Sequence, residues 1–253
     1  MNFWIEDGGV KLNTQLELPE NQNGNVPLLI LIHGLTGHME EPHLIALKDA
    51  LVNEGFGVLR AEMYGHGSSG GRFFDHDLYR WIDNVLAVID YARKIEGVSD
   101  LYLAGHSQGG LTVMMAAGMK QEQLKGLIAL SPAVMIPDDA RNGILLEHTF
   151  DKDLVPESIQ LDEDHVLSGN YLRIAQSIYP EQVAPNYKGP VLVIQGEADE
   201  TVPVKVAEEA AKLYEHSELV IIPGDTHCYD YHCDEMVSAA VTWLKKQRDS
   251  AYW

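Results

Sequence analysis

A chain of 253 residues with 45% hydrophobic and 22% charged residues has the make-up of one large globular α/β unit. Its formal charge of −20 repels phosphate backbones and anionic headgroups, which argues against nucleic acid and membrane surfaces as partners. No apolar run approaches the ~18 residues of a membrane span, the first residues show no signal peptide, and two cysteines make no disulfide framework, so a cytoplasmic location is expected.

Residues 1–20 alternate polar and apolar positions around the turn "DGG" and predict an antiparallel hairpin at a sheet edge. The run "LLILIHG" is continuously apolar, as are "GVLRAEM", "DLYLAGHS", "LIALSPA", "VLVIQG" and "ELVIIPG" further on. Continuous runs of this kind read as strands buried on both faces of a parallel sheet. Helical patterns separate them. In 77–96, Leu78, Ile82, Val85, Ile89 and Ala92 share one face, and Met236, Ala240 and Leu244 repeat the register near the C-terminus. Strands alternating with helices predict an α/β fold with a mostly parallel central sheet flanked by helices.

The first strand ends at His33-Gly34, and the loop beyond it, "LTGHMEE", offers the backbone N–H of Leu35 as an oxyanion donor. His33 is expected to orient that loop, and His38 and His43 to lie at the surface. "GHGSSG", Gly65 to Gly70, matches G-x-G-x-x-G literally, but no helix starts there and Asp90 lies inside a helical stretch rather than after a second strand. It therefore does not predict a dinucleotide loop.

The strongest local signal is "LYLAGHSQGG", where Gly105-His106-Ser107-Gln108-Gly109 fits G-x-S-x-G between a strand and a helix. A strand turning at once into a helix leaves no room for side chains two residues either side of the serine. It would present Ser107 Oγ above the sheet with the Gln108 N–H at the helix N-terminus. From Pro132 to about Ala175 the rhythm breaks, and only Tyr171, Ile174, Ala175 and Ile178 form an amphipathic stripe. An insertion this long after a core strand, 132–175, predicts a lid on a single domain spanning 1–253.

A serine needs a base, and the base an orienting acid. "VLVIQGEADETVP" places Glu197, Asp199 and Glu200 after a late strand; Asp199 fits the acid best, with Glu197 the alternative. "ELVIIPGDTHCYDYHC" places His227 after the final strand, the expected position of the base. The same stretch holds both cysteines and His232 in a zinc-like cluster, but it lacks a distant partner pair, and a histidine acting as base is not a ligand. No metal and no cofactor are expected, and Cys228 and Cys233 read as small apolar residues near the core.

Taken together, these stretches resemble the α/β-hydrolase superfamily over essentially the whole chain. "RAEMYGHGSSGG" is similar to that family's R-x-D-x-x-G-x-G-x-S loop, with Glu62 where Asp is usual. "HGLTGH", "GHSQGG" and "GNYLRIAQ" further resemble the bacterial cinnamoyl (feruloyl) esterases. The resemblance implies a serine carboxylesterase acting on hydroxycinnamate esters, with Ser107 as nucleophile, His227 as base, Asp199 as acid, and Leu35 and Gln108 as oxyanion donors. It also implies that Asp139 and Tyr171 in the lid contact ring hydroxyls. Where the lid pattern has Gln this chain has Leu146, which favours a less polar acyl group. A broad short-chain esterase or monoacylglycerol lipase is the alternative. The expected partner is a small-molecule ester, and a homodimer is left open.

Overall fold

The computed structural model describes residues 1–20 and 25–250. Eight strands form one sheet in the order β1-β2-β4-β3-β5-β6-β11-β12. The chain enters through a hairpin, β1 (Asn2–Asp7) and β2 (Val10–Glu17), turning at Gly8-Gly9, both at positive φ. β2 pairs antiparallel with β4 (Gly57–Ala61) and every later pairing is parallel, as the continuous apolar runs require.

The parallel strands are β3 (Val26–Ile32), β4, β5 (Val98–His106), β6 (Gly126–Leu130), β11 (Val191–Gly196) and β12 (Ser217–Ile222). Successive side chains of β3 enter opposite cores. Leu28, Ile30 and Ile32 pack with Trp81, Val85 and Ile89 of α2 (Leu78–Ala92), with Val113 and Ala117 of α3 (Gln108–Met119), and with Ala207 and Ala210 of α7 (Val204–Lys212). Leu29 and Leu31 face the other way, against Leu44, Leu47 and Leu51 of α1 (Pro42–Asn53) and Met236, Ala240 and Leu244 of α8 (Cys233–Asp249). Each such fully buried aliphatic side chain contributes about 1.5–3 kcal/mol. α2 is capped by Asp77, whose side chain accepts from the Arg80 N–H.

β6 and β11 are hydrogen-bonded neighbours, yet 60 residues separate them in the chain. The intervening segment carries α4 (Ile136–Arg141), the pairs β7 (Ile144–Leu145) with β8 (His148–Thr149) and β9 (Ser158–Gln160) with β10 (Val166–Ser168), then α5 (Gly169–Gln176) and α6 (Pro180–Val183). Strands of two or three residues are too short to carry a period, which is why the sequence pattern shows only the α5 stripe. Ile136, Ala140, Leu145, Leu167, Leu172 and Ala175 form a third core with Leu78, Ile82, Leu111 and Met115 of α2 and α3. This segment thus packs beside the C-terminal ends of the strands, the end at which open α/β sheets bind their ligands.

Candidate active site

Ser107 sits between β5 and α3 at φ 57°, ψ −121°, a conformation L-residues rarely adopt. Its backbone is held from three sides. The N–H donates to Leu130 O at 2.9 Å, and its carbonyl accepts from Leu111 N at 3.1 Å and Ala133 N at 3.0 Å. The flanking glycines are sterically required, since a Cβ on Gly105 would stand 2.4 Å from Gly109 O and one on Gly109 would stand 2.2 Å from His33 O. The Gln108 N–H belongs to the first turn of α3, whose amides helix geometry leaves unpaired.

Two loops meet beside this turn. Asp199 follows β11 and is buried, while Glu197 and Glu200 are exposed. Asp199 Oδ2 lies 2.7 Å from His227 Nδ1 and accepts from Gln195 Nε2 at 2.8 Å; Oδ1 accepts from Thr201 N at 2.9 Å and Val202 N at 2.8 Å. Burial alone would raise the Asp199 carboxyl, but the His227 contact and these hydrogen bonds outweigh it and hold the group below the usual carboxylate range. With Nδ1 committed to Asp199, Nε2 of His227 is the ring nitrogen left for a reacting group.

The loop carrying His227 is built on residues that no motif marks. Asp225, fully buried, accepts from Thr226 N, Tyr231 N and His232 N. Tyr229, at φ 59°, donates its hydroxyl to Ile194 O at 2.9 Å and accepts from Ser131 Oγ at 3.0 Å. The acid loop docks on this loop through Ala198 N to Asp225 O at 2.8 Å. Gln195, Asp225 and Tyr229 therefore place the pair, and a polar Gln interrupting the apolar run of β11 is the one signal the sequence offered.

On the other side of Ser107, Gly34 approaches so closely that its Cβ would lie 3.0 Å from Ser107 Cβ. That places the loop carrying Leu35 against the serine. His33 is fully buried, with Nδ1 2.8 Å from Gly34 O and Nε2 accepting from Met63 N at 3.0 Å; burial and the neighbouring His66 push it down to about 3. Arg60 Nη1 donates to Met39 O at 2.6 Å and pins the far end of the loop. The glycines of "GHGSSG" serve packing: a Cβ on Gly67 would fall 2.0 Å from the Glu62 carboxyl, which accepts from Ser68 N and Asn13 Nδ2.

In the insertion, Tyr171 is fully buried and donates its hydroxyl to Gln108 Oε1 at 2.7 Å, so its proton is engaged by the serine turn itself. Asp139 is half-buried in the first turn of α4, its carboxyl raised by burial and by Asp138. Leu146 stands at the tip of the β7–β8 pair at φ 52°, 37% exposed. His38 is exposed as expected, but His43 is not at the surface. It is 2% exposed and packs edge-on against His106, with ring centroids 4.4 Å apart. His43, Leu47 and Leu51 form one i, i+4, i+8 stripe that faces the core, a pattern the sequence already contained.

The zinc-like stretch does not gather as a cluster. His227 pairs with Asp199, and His232 faces Glu235 at 3.7 Å. Burial pushes the Cys228 thiol up to about 11, aided by Glu41, and raises Cys233 as well. Among the described residues, the one group of three with metal-ligand geometry is Glu41, His43 and His106.

The family model of serine aminopeptidase S33 matches residues 25–183, and that of TAP-like proteins matches 174–246. The chain is similar to Est1E of Butyrivibrio proteoclasticus with ferulic acid bound: 46% identity over 98% of this chain and 100% of that one, TM-score 0.96. It is 24% identical over 217 residues to a bifunctional esterase/perhydrolase of Acinetobacter calcoaceticus, covering 70% of this chain and 76% of that protein. An esterase/lipase relative from Haemophilus influenzae is 32% identical over 115 residues, which make up 45% of this chain and 37% of that protein.

Proposed function

Because the chain belongs to the serine aminopeptidase S33 family of α/β-hydrolases and is a carboxylic ester hydrolase, we propose that it hydrolyses hydroxycinnamate esters through Ser107, His227 and Asp199. The observation that carries the reading is the 2.7 Å contact of His227 Nδ1 with buried Asp199, in a loop set beside the strained Ser107 turn. His227 Nε2 takes the proton of Ser107 Oγ as that oxygen attacks the ester carbonyl, and returns it to the leaving alkoxide. Water, deprotonated by the same nitrogen, then cleaves the acyl-enzyme. Asp199 fixes the tautomer and stabilises the imidazolium. The N–H groups of Leu35 and Gln108 receive the oxyanion, each such donor lowering the barrier by about 3–4 kcal/mol.

The aromatic acyl group is supported by the similarity to a protein that binds ferulic acid and by the insertion beside the site. The insertion is read as a lid, with the sheltered Asp139 carboxylate and the lone pairs left on Tyr171 as acceptors for a ring hydroxyl. Leu146, apolar where an amide is usual, favours acyl rings with fewer hydroxyls. The two unpaired thiols, Cys228 and Cys233, suit a reducing, cytoplasmic setting. The test is a comparison of methyl ferulate, chlorogenate, an aryl butyrate and a monoglyceride, with fluorophosphonate labelling mapped by mass spectrometry. The hydroxycinnamate reading requires methyl ferulate to be preferred over the butyrate and labelling to fall on Ser107. Preference for the butyrate or monoglyceride replaces it with a general esterase, and absence of labelling removes the mechanism.

A further inference from the structure

Three buried polar atoms lie behind the serine turn with no partner: Glu41 Oε2, His43 Nε2 and His106 Nδ1. The same three residues bring one potential ligand atom each within 4.8 Å of the others, and they come from three places: the residue before α1, the first turn of α1, and the last residue of β5. Orphaned atoms of this kind are rare in folded proteins, because each costs about 1–3 kcal/mol unless something satisfies it.

Their protonation follows from their contacts. His106 Nε2 lies 2.8 Å from His227 O, and a carbonyl can only accept, so Nε2 carries the proton and Nδ1 presents a lone pair. A ring N–H given to a backbone carbonyl, with the other nitrogen free, is the arrangement that orients metal-ligating histidines. His43 packs against this ring and is 2% exposed, as is His106. Glu41 completes the set, in a space that glycine at 37 keeps open: a Cβ there would lie 2.7 Å from Glu41 Oε2.

We propose that Glu41, His43 and His106 form a binding site for a divalent transition metal of the zinc class. Two imidazole nitrogens and one carboxylate oxygen are a zinc donor set with the fourth position open. Nitrogen donors select zinc, copper or nickel over magnesium or calcium. Bonds of about 2.0–2.1 Å put tetrahedral ligands about 3.4 Å apart, so the three atoms close inward on binding. The Glu41 side chain supplies most of the movement, since Arg60 pins the loop before it and His106 moves only together with the His227 loop it is tied to.

That tie gives the site a consequence. His106 grips the backbone of His227, so a metal drawing His106 inward shifts the loop of the candidate base. Occupancy lowers ester hydrolysis without competing with substrate. This second step rests on the hydrolase reading; metal binding itself does not.

The experiment is calorimetric titration of zinc into the chelator-stripped full chain, with cobalt absorption as the spectroscopic readout. One zinc per chain at low micromolar Kd or tighter is expected, with tetrahedral cobalt bands in the visible. Glu41→Gln and His43→Gln should each weaken binding by about 100-fold or more, while Ser107→Ala, His227→Ala and Cys228→Ser bind as the parent does. Circular dichroism confirms folding, and Glu41→Gln, at a half-buried position, serves if His43→Gln does not fold. Failure to saturate at millimolar zinc overturns the proposal. So does binding that survives both ligand variants but is lost in His227→Ala or Cys228→Ser. Zinc binding without inhibition of the parent overturns the coupling alone.

Discussion

Tyr171 donates its hydroxyl to Gln108 Oε1 at 2.7 Å, joining the insertion helix to the residue that follows the candidate nucleophile. The pair is buried, and removing one partner strands the other. Tyr171→Phe is expected to lower unfolding free energy by about 1–3 kcal/mol in urea titration. A double-mutant cycle with Gln108→Leu should recover part of that loss, because the stranded acceptor is then gone.

Asp199→Asn keeps the geometry but presents an amide where His227 needs an acceptor. The ring then takes the wrong tautomer, and kcat on an aryl ester is expected to fall by about 10⁴-fold. Glu197, exposed and accepting from Gly224 N, is the control. Glu197→Gln should stay within about twofold of the parent in steady-state kinetics, a surface change of a few tenths of a kcal/mol.

Gln195 Nε2 reaches Asp199 Oδ2 at 2.8 Å and Val202 O at 2.9 Å from inside the sheet. Its role is positioning. Gln195→Leu removes a donor to a buried carboxylate, worth about 1.5–3 kcal/mol. The Asp199 carboxyl, held below its ordinary value, contributes stability that is present above the unfolded value and lost as pH falls through the folded one. The variant is expected to lose part of that contribution, the His227 contact and the loop amides keeping the rest, and to leave KM almost unchanged.

Gly109→Ala would set a methyl 2.2 Å from the backbone oxygen of His33, where no side-chain rotation can relieve it. Either α3 moves away from β3 or the turn at Ser107 opens. Soluble yield and fluorophosphonate labelling should both collapse, whereas Glu215→Ala at an exposed position should do neither.

Three buried histidines pack in a row beneath the insertion, His33, His66 and His76, with ring centroids 5.3 Å apart for the tilted first pair and 4.9 Å for the edge-on second. Burial first, and their neighbours second, push them down to about 3, 4 and 3. The unfolded chain takes up protons on them near pH 6.5, while the folded chain holds them neutral to much lower pH. Stability is therefore lost as pH falls below 6.5, at about 1.4 kcal/mol per unit for each group, or roughly 4 kcal/mol per unit together. Urea midpoints at pH 7, 6 and 5 should fall progressively more steeply, and His66→Asn should reduce the slope.

The sequence revealed the sheet and the turn because their signals are local. The apolar runs of β3 to β6, β11 and β12 and the glycines around Ser107 each state their purpose within ten residues. Asp199 and His227 were legible because they follow strands whose order is fixed. What stayed hidden depends on distant pairs: Gln195 reads as a polar break in a strand until Asp199 is folded over it. Asp225 reads as a loop acid until three amides close on it. Glu41 and His43 lie 65 and 63 residues before His106, and the β3–β5 pairing brings the two segments together. The short strands of the insertion fall below any detectable period, and there pattern reading stops.

The chain leaves the sheet after β6 and re-enters on the strand beside it. Because the two strands run parallel, the 60 intervening residues leave at the C-terminal end of β6 and return to the N-terminal start of β11, a crossover that spans the length of the sheet. Lengthening such a segment raises its closure entropy only slowly, by about 0.6 kcal/mol per doubling. Its length can thus vary at little entropic cost, provided the core it shares with α2 and α3 and the Tyr171–Gln108 bond are kept. On the proposed reading, substrate choice would change with this insertion while Ser107, Asp199 and His227 stay in place on the sheet.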